Sequence, residues 1–245
     1  MHAWLCTEPT GVEALKWTEL PTPAPGPGEV LIKIEAASLN FPDLLIVQNK
    51  YQMKPALPFV PGSEYAGVVE AVGPGVTHLS PGQSVAGLSG TGGFGTHTLA
   101  AAALCMPLPK GFPAVDAAAF IMIYATSWHA LVDRAMLKEG ETVLVLGAAG
   151  GVGTAAIQIA KAMGAKVIAA ASTDEKCALC QSLGADATIN YSTHDLREAI
   201  KQATGGKGPD VIYDPVGGEF AEPAFRSIAW RGRYLVVGFA SGPIP

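Results

Sequence analysis

Hydrophobic residues in the middle of the chain change from one spacing to another and back. Residues 142–147 form a short apolar run that predicts a buried parallel strand, and residues 152–163 carry apolar side chains at helical spacing. Residues 166–171 are a second short apolar run, and Gly164 before them suits the C-terminal cap of a helix. The pattern therefore predicts a strand, a helix and a second strand, which together form a βαβ unit.

Strand and helix patterns continue to alternate after this unit. With it they predict five parallel strands of a doubly wound α/β sheet, a fold that ordinarily has about six. The sequence given ends at Pro245, where the sixth crossover is expected, so we predict a sheet that is incomplete at its C-terminus. The further strands are predicted at 187–190, 211–214 and 233–239, and the further helices at 196–204 and 220–229.

The first 110 residues carry a different pattern, in which proline and glycine clusters separate short strands. A short helix is predicted after Asn40, because Pro42 falls in its first turn. No long helical period intervenes, which indicates an all-β region of barrel type. The strands are predicted at 30–36, 66–72 and 84–87.

An alanine-rich helical pattern begins at Ala114 and marks a change in composition. We place a domain boundary there. The β-rich domain is predicted to span residues 1–113, and the doubly wound domain to span residues 114–245.

Composition and charge exclude several classes of function. A net charge of −5 with no basic block argues against a nucleic-acid surface. The mean hydropathy is +0.30, yet the apolar runs are far shorter than the roughly 18 residues that span a membrane. Residues 1–8 lack a signal-peptide pattern, and four scattered cysteines fit reduced thiols. We therefore predict a soluble cytoplasmic protein with no nucleic-acid or membrane partner.

The turn at residues 148–153, AAGGVG, fits a dinucleotide-binding fingerprint whose first glycine is replaced by alanine. Gly150 would let the backbone approach a pyrophosphate, and Gly153 would let the helix pack closely on the strand. A second stretch, residues 90–95, matches G-x-G-x-x-G letter for letter. It precedes threonine-rich alternation and no amphipathic helix, so we interpret it as a loop that enters a strand.

The end of the second strand of the unit indicates which nucleotide is bound. An acidic residue there would bond the ribose 2′-hydroxyl and repel a 2′-phosphate, but the residues are Ala171, Ser172 and Thr173. Asp174 and Glu175 come later and are expected to begin the next helix as its cap and first-turn acids. Ser172 or Thr173, together with the ammonium of Lys176, would suit a phosphate, so the sequence favours NADP over NAD.

Taken together, these motifs resemble the medium-chain dehydrogenase/reductase superfamily, and within it the zinc-free NADPH:quinone oxidoreductases. The resemblance covers essentially all 245 residues. It implies an N-terminal GroES-like barrel domain followed by a Rossmann domain. The motifs that carry it are Asn40-Phe41-Pro42-Asp43 with Tyr51 downstream, PGSEYAG at 61–67, GPGV at 73–76, the glycine turn, LGAD at 183–186 leading to Ile189-Asn190-Tyr191, and YDPVGG at 213–218.

The zinc ligands of the superfamily's alcohol dehydrogenases are missing. The matching positions hold Asn40, Ser63 and Met122, none of which offers the thiolate or imidazole that zinc prefers. Cys177 and Cys180 are the only close cysteine pair and lack a second pair to complete four ligands. We therefore predict no bound metal and no zinc.

Without a Lewis acid, reduction of an electrophilic acceptor is the expected chemistry. The resemblance implies hydride transfer from NADPH to a quinone or an activated enone, with Asn40, Asp43 and Tyr51 as catalytic candidates. Asp43 could instead stabilise its helix, Tyr51 could anchor a loop, and Tyr124 could belong to the core. The cofactor-binding residues implied are Tyr124, Thr126, Ala149, Gly150, Gly151, Val152, Gly153, Ser172, Lys176, Tyr191 and Phe239.

Two other functions stay open. Related zinc-free members reduce enoyl thioesters, which requires basic residues for a phosphorylated carrier, and the N-terminal region shows no Lys/Arg cluster. A nucleotide-binding protein without turnover is the other alternative. The resemblance also implies that family members continue past the fifth strand and form homodimers, so we expect a full-length version to be more stable and more active.

Overall fold

A computed structural model describes residues 1–242 of the chain. The chain divides into two compact units, Met1–Met122 and Ile123–Pro245. None of the helices formed by residues 1–242 has the length and apolar character needed to cross a membrane.

The first unit is built from antiparallel strands. Strands β1 and β2 form a two-stranded ribbon, and the other five form one sheet in the order β6-β3-β4-β5-β7. A short helix, α1, lies in the connection from β3 to β4. The strands are β1 His2–Leu5, β2 Lys16–Glu19, β3 Glu29–Ala37, β4 Glu64–Val72, β5 Ser84–Leu88, β6 His97–Ala101 and β7 Cys105–Pro107, and α1 is Phe41–Val47.

Alternation along β3 and β4 directs every second side chain of each strand into the larger apolar core of this unit. Val30 and Ile32 of β3 pack with Tyr65 and Val69 of β4 and with Val85 of β5 in a buried core. The stretch at residues 90–95 lies in a loop, and β6 begins two residues later at His97, which confirms the sequence interpretation. That match to a nucleotide fingerprint is therefore a turn between strands.

The alanine-rich segment after residue 113 is not one continuous helix. Helix α2, Ala114–Ala118, packs on the sheet of the first unit, where Ala117 and Ala118 bury against Ala66 and Ala86. Helix α3, Ile121–Trp128, follows, and residues 129–134 continue it as a π-helix.

The second unit is a parallel sheet with helices on both faces. Its strand order, β10-β9-β8-β11-β12, is that of a doubly wound fold, and all four neighbouring pairs are parallel. The strands are β8 Thr142–Val145, β9 Lys166–Ala171, β10 Ala187–Asn190, β11 Val211–Asp214 and β12 Arg233–Val236. The helices are α4 Gly151–Ala162, α5 Asp174–Ser182, α6 Leu196–Ala203 and α7 Ala221–Phe225.

Burial on both faces explains why these strands are continuous apolar runs. Val143 and Val145 of β8 pack against Ile157 of α4, whereas Leu144 points to the opposite face and packs with Ile200 of α6. The predicted Rossmann architecture is therefore confirmed.

Three predicted elements are at least two residues shorter than expected. The strand predicted over 142–147 ends at Val145. The helix predicted over 220–229 ends at Phe225, because the chain turns there and the Ala229 N–H donates to the Pro209 carbonyl at 3.0 Å. The strand predicted over 233–239 ends at Val236. Its partner β11 ends at Asp214, so β12 has no further strand residues to pair with. The N–H groups of Val237 and Gly238 therefore both donate to the Asp214 carbonyl, at 2.8 and 3.2 Å.

Candidate functional site

The glycine turn joins β8 to α4 in the geometry that the sequence predicts. Gly147 adopts φ +56°, and Gly150 is the residue that precedes the first turn of α4. A Cβ on Gly153 would lie 2.6–2.7 Å from backbone atoms of Gly147 and Ala148, so only glycine allows the helix to approach the strand this closely. Gly150 and Gly151 are exposed at the start of the helix. This glycine-lined helix start fits the pyrophosphate of a dinucleotide.

Ser127 ties helix α3 to this turn. Its hydroxyl donates to the carbonyl of Val152 at 2.9 Å and shares a hydrogen bond of 2.9 Å with the phenol of Tyr213 on β11. Burial raises the pKa of Tyr213 to about 12. Ser127 is not among the predicted site residues, because its only sequence signal is a polar residue on the inner face of an apolar helical pattern.

The side chains predicted to select the nucleotide lie together at the carboxyl ends of β9 and β10. Lys176 Nζ donates to Ser172 Oγ at 3.1 Å. Thr173, rather than Asp174, caps α5, because its hydroxyl accepts from the Lys176 N–H at 3.2 Å. The Asp174 carboxylate accepts from Asn190 Nδ2 at 2.7 Å. A hydroxyl and an ammonium therefore occupy the end of β9, and the nearest carboxylate is already bonded.

Tyr191 forms the aromatic side of the same cluster. Its ring lies 4.5 Å from the ring of Phe220, centroid to centroid, and burial raises its pKa while a hydrogen bond with Ser172 opposes that change. Ser192, which the sequence analysis missed, donates its hydroxyl to the Ser172 carbonyl at 2.8 Å. The loop after β10 is thus bonded to the end of β9.

The residues predicted to lie toward the nicotinamide come from two segments of the second unit. Tyr124 and Thr126 are on α3, where the Tyr124 hydroxyl donates to Gln158 of α4. Phe239 follows β12, and its ring lies so close to Gly217 that a Cβ there would meet it at 3.2 Å. The turn that carries Gly217 is fixed by Asp214.

Asp214 is buried and holds this turn through three hydrogen bonds. Its Oδ1 accepts from the N–H groups of Val216 and Gly217 at 2.8 Å each, and its Oδ2 accepts from the Tyr234 hydroxyl at 2.6 Å. Burial, and then the neighbouring carboxylate, raise the pKa of Tyr234. The YDPVGG motif is therefore a rigid turn at the carboxyl end of β11.

The first unit brings Asn40 and Asp43 into one hydrogen-bonded network. The Asp43 carboxylate is buried, accepts from the Asn40 N–H at 2.9 Å and takes a short hydrogen bond from the Ser63 hydroxyl. This arrangement supports a helix-stabilising role for Asp43. Tyr51 is half-buried in the loop after α1 and takes no part in the network formed by the described residues.

Glu64 links the rest of the network. It is fully buried, its Oε1 accepts from the Met122 N–H at 3.0 Å, and its Oε2 accepts from the Ser38 hydroxyl at 2.8 Å. Ser38 Oγ in turn accepts from Asn40 Nδ2 at 2.9 Å. The three positions that match zinc ligands, Asn40, Ser63 and Met122, thus all bond to buried carboxylates or to their partners.

Among residues 1–242, no group of three or more His, Cys, Asp and Glu side chains lies close enough together to hold a metal ion. Cys177 and Cys180 are both buried on α5, and burial raises the pKa of each thiol. Neither cysteine presents an exposed thiolate.

This two-unit fold, with its glycine turn, is that of a nucleotide-dependent oxidoreductase. Residues 26–110 match the alcohol dehydrogenase GroES-like domain family, and residues 151–245 match the zinc-binding dehydrogenase family. The chain is 38% identical to quinone oxidoreductase-like protein 2 of Rattus norvegicus, over 99% of this chain and 73% of the rat protein. The chain belongs to the medium-chain dehydrogenase/reductase superfamily, as predicted.

Solved structures of similar proteins support the same family assignment. Mycobacterial Rv1454c, complexed with NADPH, is 38% identical, with a TM-score of 0.93 over 100% of this chain and 76% of that one. The CurK enoyl reductase is 30% identical, with a TM-score of 0.87 over 95% of this chain and 73% of that one. Quinone oxidoreductase-like relatives from Bos taurus and Nematostella vectensis are matched over only 64% and 60% of their length.

Proposed function

We propose that this protein reduces a quinone or an activated enone with NADPH and without zinc. The proposal rests on the residues at the positions that match the zinc ligands of alcohol dehydrogenases. These residues form hydrogen bonds and offer no thiolate or imidazole to a metal. Where zinc would need thiolate and imidazole, Asn40 and Ser63 are instead engaged with Ser38 and Asp43. Such a site favours reduction of an acceptor that is already electrophilic, because such an acceptor needs no metal ion to activate it.

Bound NADPH would supply a hydride, which with one proton from solvent converts a quinone to a hydroquinone. The chain's own residues hold and orient the reactants. The N–H groups at the start of α4 would bind the pyrophosphate, and Ser172, Lys176 and Tyr191 would hold the 2′-phosphate. In the second unit, Thr126 and Phe239 are the residues that would hold the nicotinamide. In the first unit, Asn40 would donate a hydrogen bond to an acceptor oxygen that gains charge.

The proposal is tested by titrating the full chain with NADPH and with NADH while nicotinamide fluorescence is followed. The bound form is then mixed with 1,4-benzoquinone, 9,10-phenanthrenequinone or an enone. Tighter binding of NADPH, followed by oxidation that depends on the acceptor, is the expected result. Tight NADPH binding without oxidation by any acceptor would instead support a nucleotide-binding protein without turnover.

Reduction of an enoyl thioester is the second candidate, and the likeness to the CurK enoyl reductase favours it. A short enoyl thioester added to the same panel separates the two. Faster NADPH oxidation with the thioester than with the quinones would replace the first proposal. A small-molecule acceptor, a homodimer of the full-length form, a cytoplasmic location and the boundary at residue 114 stay predictions.

A further inference from the structure

Asn40 presents its carboxamide in one orientation, and the partners of Ser38 determine which. Nδ2 of Asn40 lies 2.9 Å from Ser38 Oγ, and Ser38 Oγ lies 2.8 Å from Glu64 Oε2. A carboxylate only accepts hydrogen bonds, so the single hydrogen of Ser38 is directed at Glu64. The serine oxygen can therefore only accept from Asn40, and the amide must turn its nitrogen toward it.

Glu64 is itself fixed. It is 0% exposed, and its other oxygen accepts from the backbone N–H of Met122 at 3.0 Å. A backbone N–H can only donate, so both oxygens of Glu64 face donors. The order of donors and acceptors from Met122 to Asn40 is thus set by groups that cannot change roles.

We propose that Ser38 is a positioning residue for Asn40. Ser38 accepts a hydrogen bond from one N–H of the Asn40 carboxamide and thereby fixes the direction of the second N–H, which has no partner among residues 1–242. When a quinone or enone is bound, this second N–H donates to its carbonyl oxygen as that oxygen gains negative charge during hydride transfer. Without the hydrogen bond to Ser38, the Asn40 side chain would rotate freely and would have to be ordered each time an acceptor binds, which costs conformational entropy.

The inference rests on the proposed function, and four variants of the full chain test it: Ser38→Ala, Ser38→Thr, Asn40→Ala and the double variant of Ser38→Ala with Asn40→Ala. With saturating NADPH and 1,4-benzoquinone, we expect Ser38→Ala to lower kcat about 10-fold, because a misplaced donor stabilises the developing oxyanion less well. Ser38→Thr keeps the hydroxyl, so its kcat should stay close to that of the wild type. Ser80→Ala, on an exposed loop of the same unit, is the matched control.

The double variant separates positioning from a structural effect. If Ser38 acts through Asn40, removing Ser38 in the Asn40→Ala background should lower kcat no further. Losses that multiply in the double variant would overturn the inference, and so would an unchanged kcat in Ser38→Ala. The affinity for NADPH and the Tm of each variant show whether folding or cofactor binding has changed.

A spectroscopic measurement distinguishes failure of the inference from failure of the proposed function. In ¹H–¹⁵N spectra of the full chain, one side-chain amide proton of Asn40 should exchange slowly with solvent in the wild type and in Ser38→Thr. That protection should disappear in Ser38→Ala. If no quinone or enone is reduced by the wild type, the proposed function fails. Equal exchange of both amide protons in the wild type would overturn the positioning role itself.

Discussion

Arg233 and Glu141 form a two-point ion pair, with Arg233 Nη1 2.9 Å from Glu141 Oε1 and Nη2 2.6 Å from Oε2. Arg233 begins β12, and Glu141 immediately precedes β8, so the pair connects two strands that flank β11. The Nε of Arg233 also donates to the Ala135 carbonyl at 2.9 Å. Both side chains are largely shielded, with exposures of 29% and 20%. The geometry is the parallel fork that makes an arginine–carboxylate pair strong.

Replacing Arg233 with alanine should lower the free energy of unfolding by about 2–3 kcal/mol, because the Glu141 carboxylate would lose its charged partner while partly buried. Urea denaturation of the wild type and the variant measures the difference. Arg226 provides the control, since its pair with Glu222 is 61% and 68% exposed. Arg226→Ala should change stability by less than about 0.5 kcal/mol. Equal effects of the two substitutions would contradict this account.

The same pair predicts how stability depends on pH. The hydrogen bond from Arg233 holds the pKa of Glu141 below its ordinary value of 4.5. A carboxyl with a lowered pKa in the folded state stabilises the protein above its unfolded pKa, and this contribution is lost as the pH falls through the folded pKa. The gap in Tm between the wild type and Glu141→Gln should therefore be present at pH 7 and narrow below pH 4.5. A gap that stays constant down to about pH 3 would count against the ion pair as its source.

The sequence could predict those elements whose bounds depend on neighbouring residues alone and whose side chains are evenly buried. Strand β9 has the predicted bounds because both of its faces are buried, and Gly153 is identifiable because its role needs only the adjacent turn. The end of β12 depends on where β11 stops, which no local pattern records. The contact of Ser38 with Glu64 joins residues 26 positions apart, so the network around Asn40 had no sequence signal beyond the polar residues themselves.

Lys176 provides a test of nucleotide choice. Its Nζ is held 3.1 Å from Ser172 Oγ at the end of β9. Lys176→Ala should weaken NADPH binding about 10-fold, the loss expected for one charge-assisted contact to phosphate, and leave NADH binding unchanged. Fluorescence titration with both nucleotides measures this. Lys201→Ala, an exposed lysine on α6, is the control and should alter neither affinity. Equal weakening of NADPH and NADH would place Lys176 away from the 2′-phosphate.

Gly150 and Gly153 are both glycines of the nucleotide turn, but the structure assigns them different constraints. A Cβ on Gly150 would approach only the Gly147 carbonyl, at 3.3 Å, and Gly150 has an ordinary φ of −78°. A Cβ on Gly153 would lie 2.6–2.7 Å from backbone atoms, which cannot move aside as a flexible side chain can.

Alanine substitutions at these two glycines should therefore have different effects, one on stability and the other on NADPH binding. Gly153→Ala should lower the free energy of unfolding by about 1–3 kcal/mol, because helix α4 must shift away from β8. Gly150→Ala should leave the urea midpoint near that of the wild type and weaken NADPH binding at least about 10-fold, because its methyl group would stand where the pyrophosphate approaches the backbone. Denaturation and fluorescence titration of both variants measure the two effects. If Gly150→Ala bound NADPH as the wild type does, the pyrophosphate would have to lie elsewhere than at the start of α4.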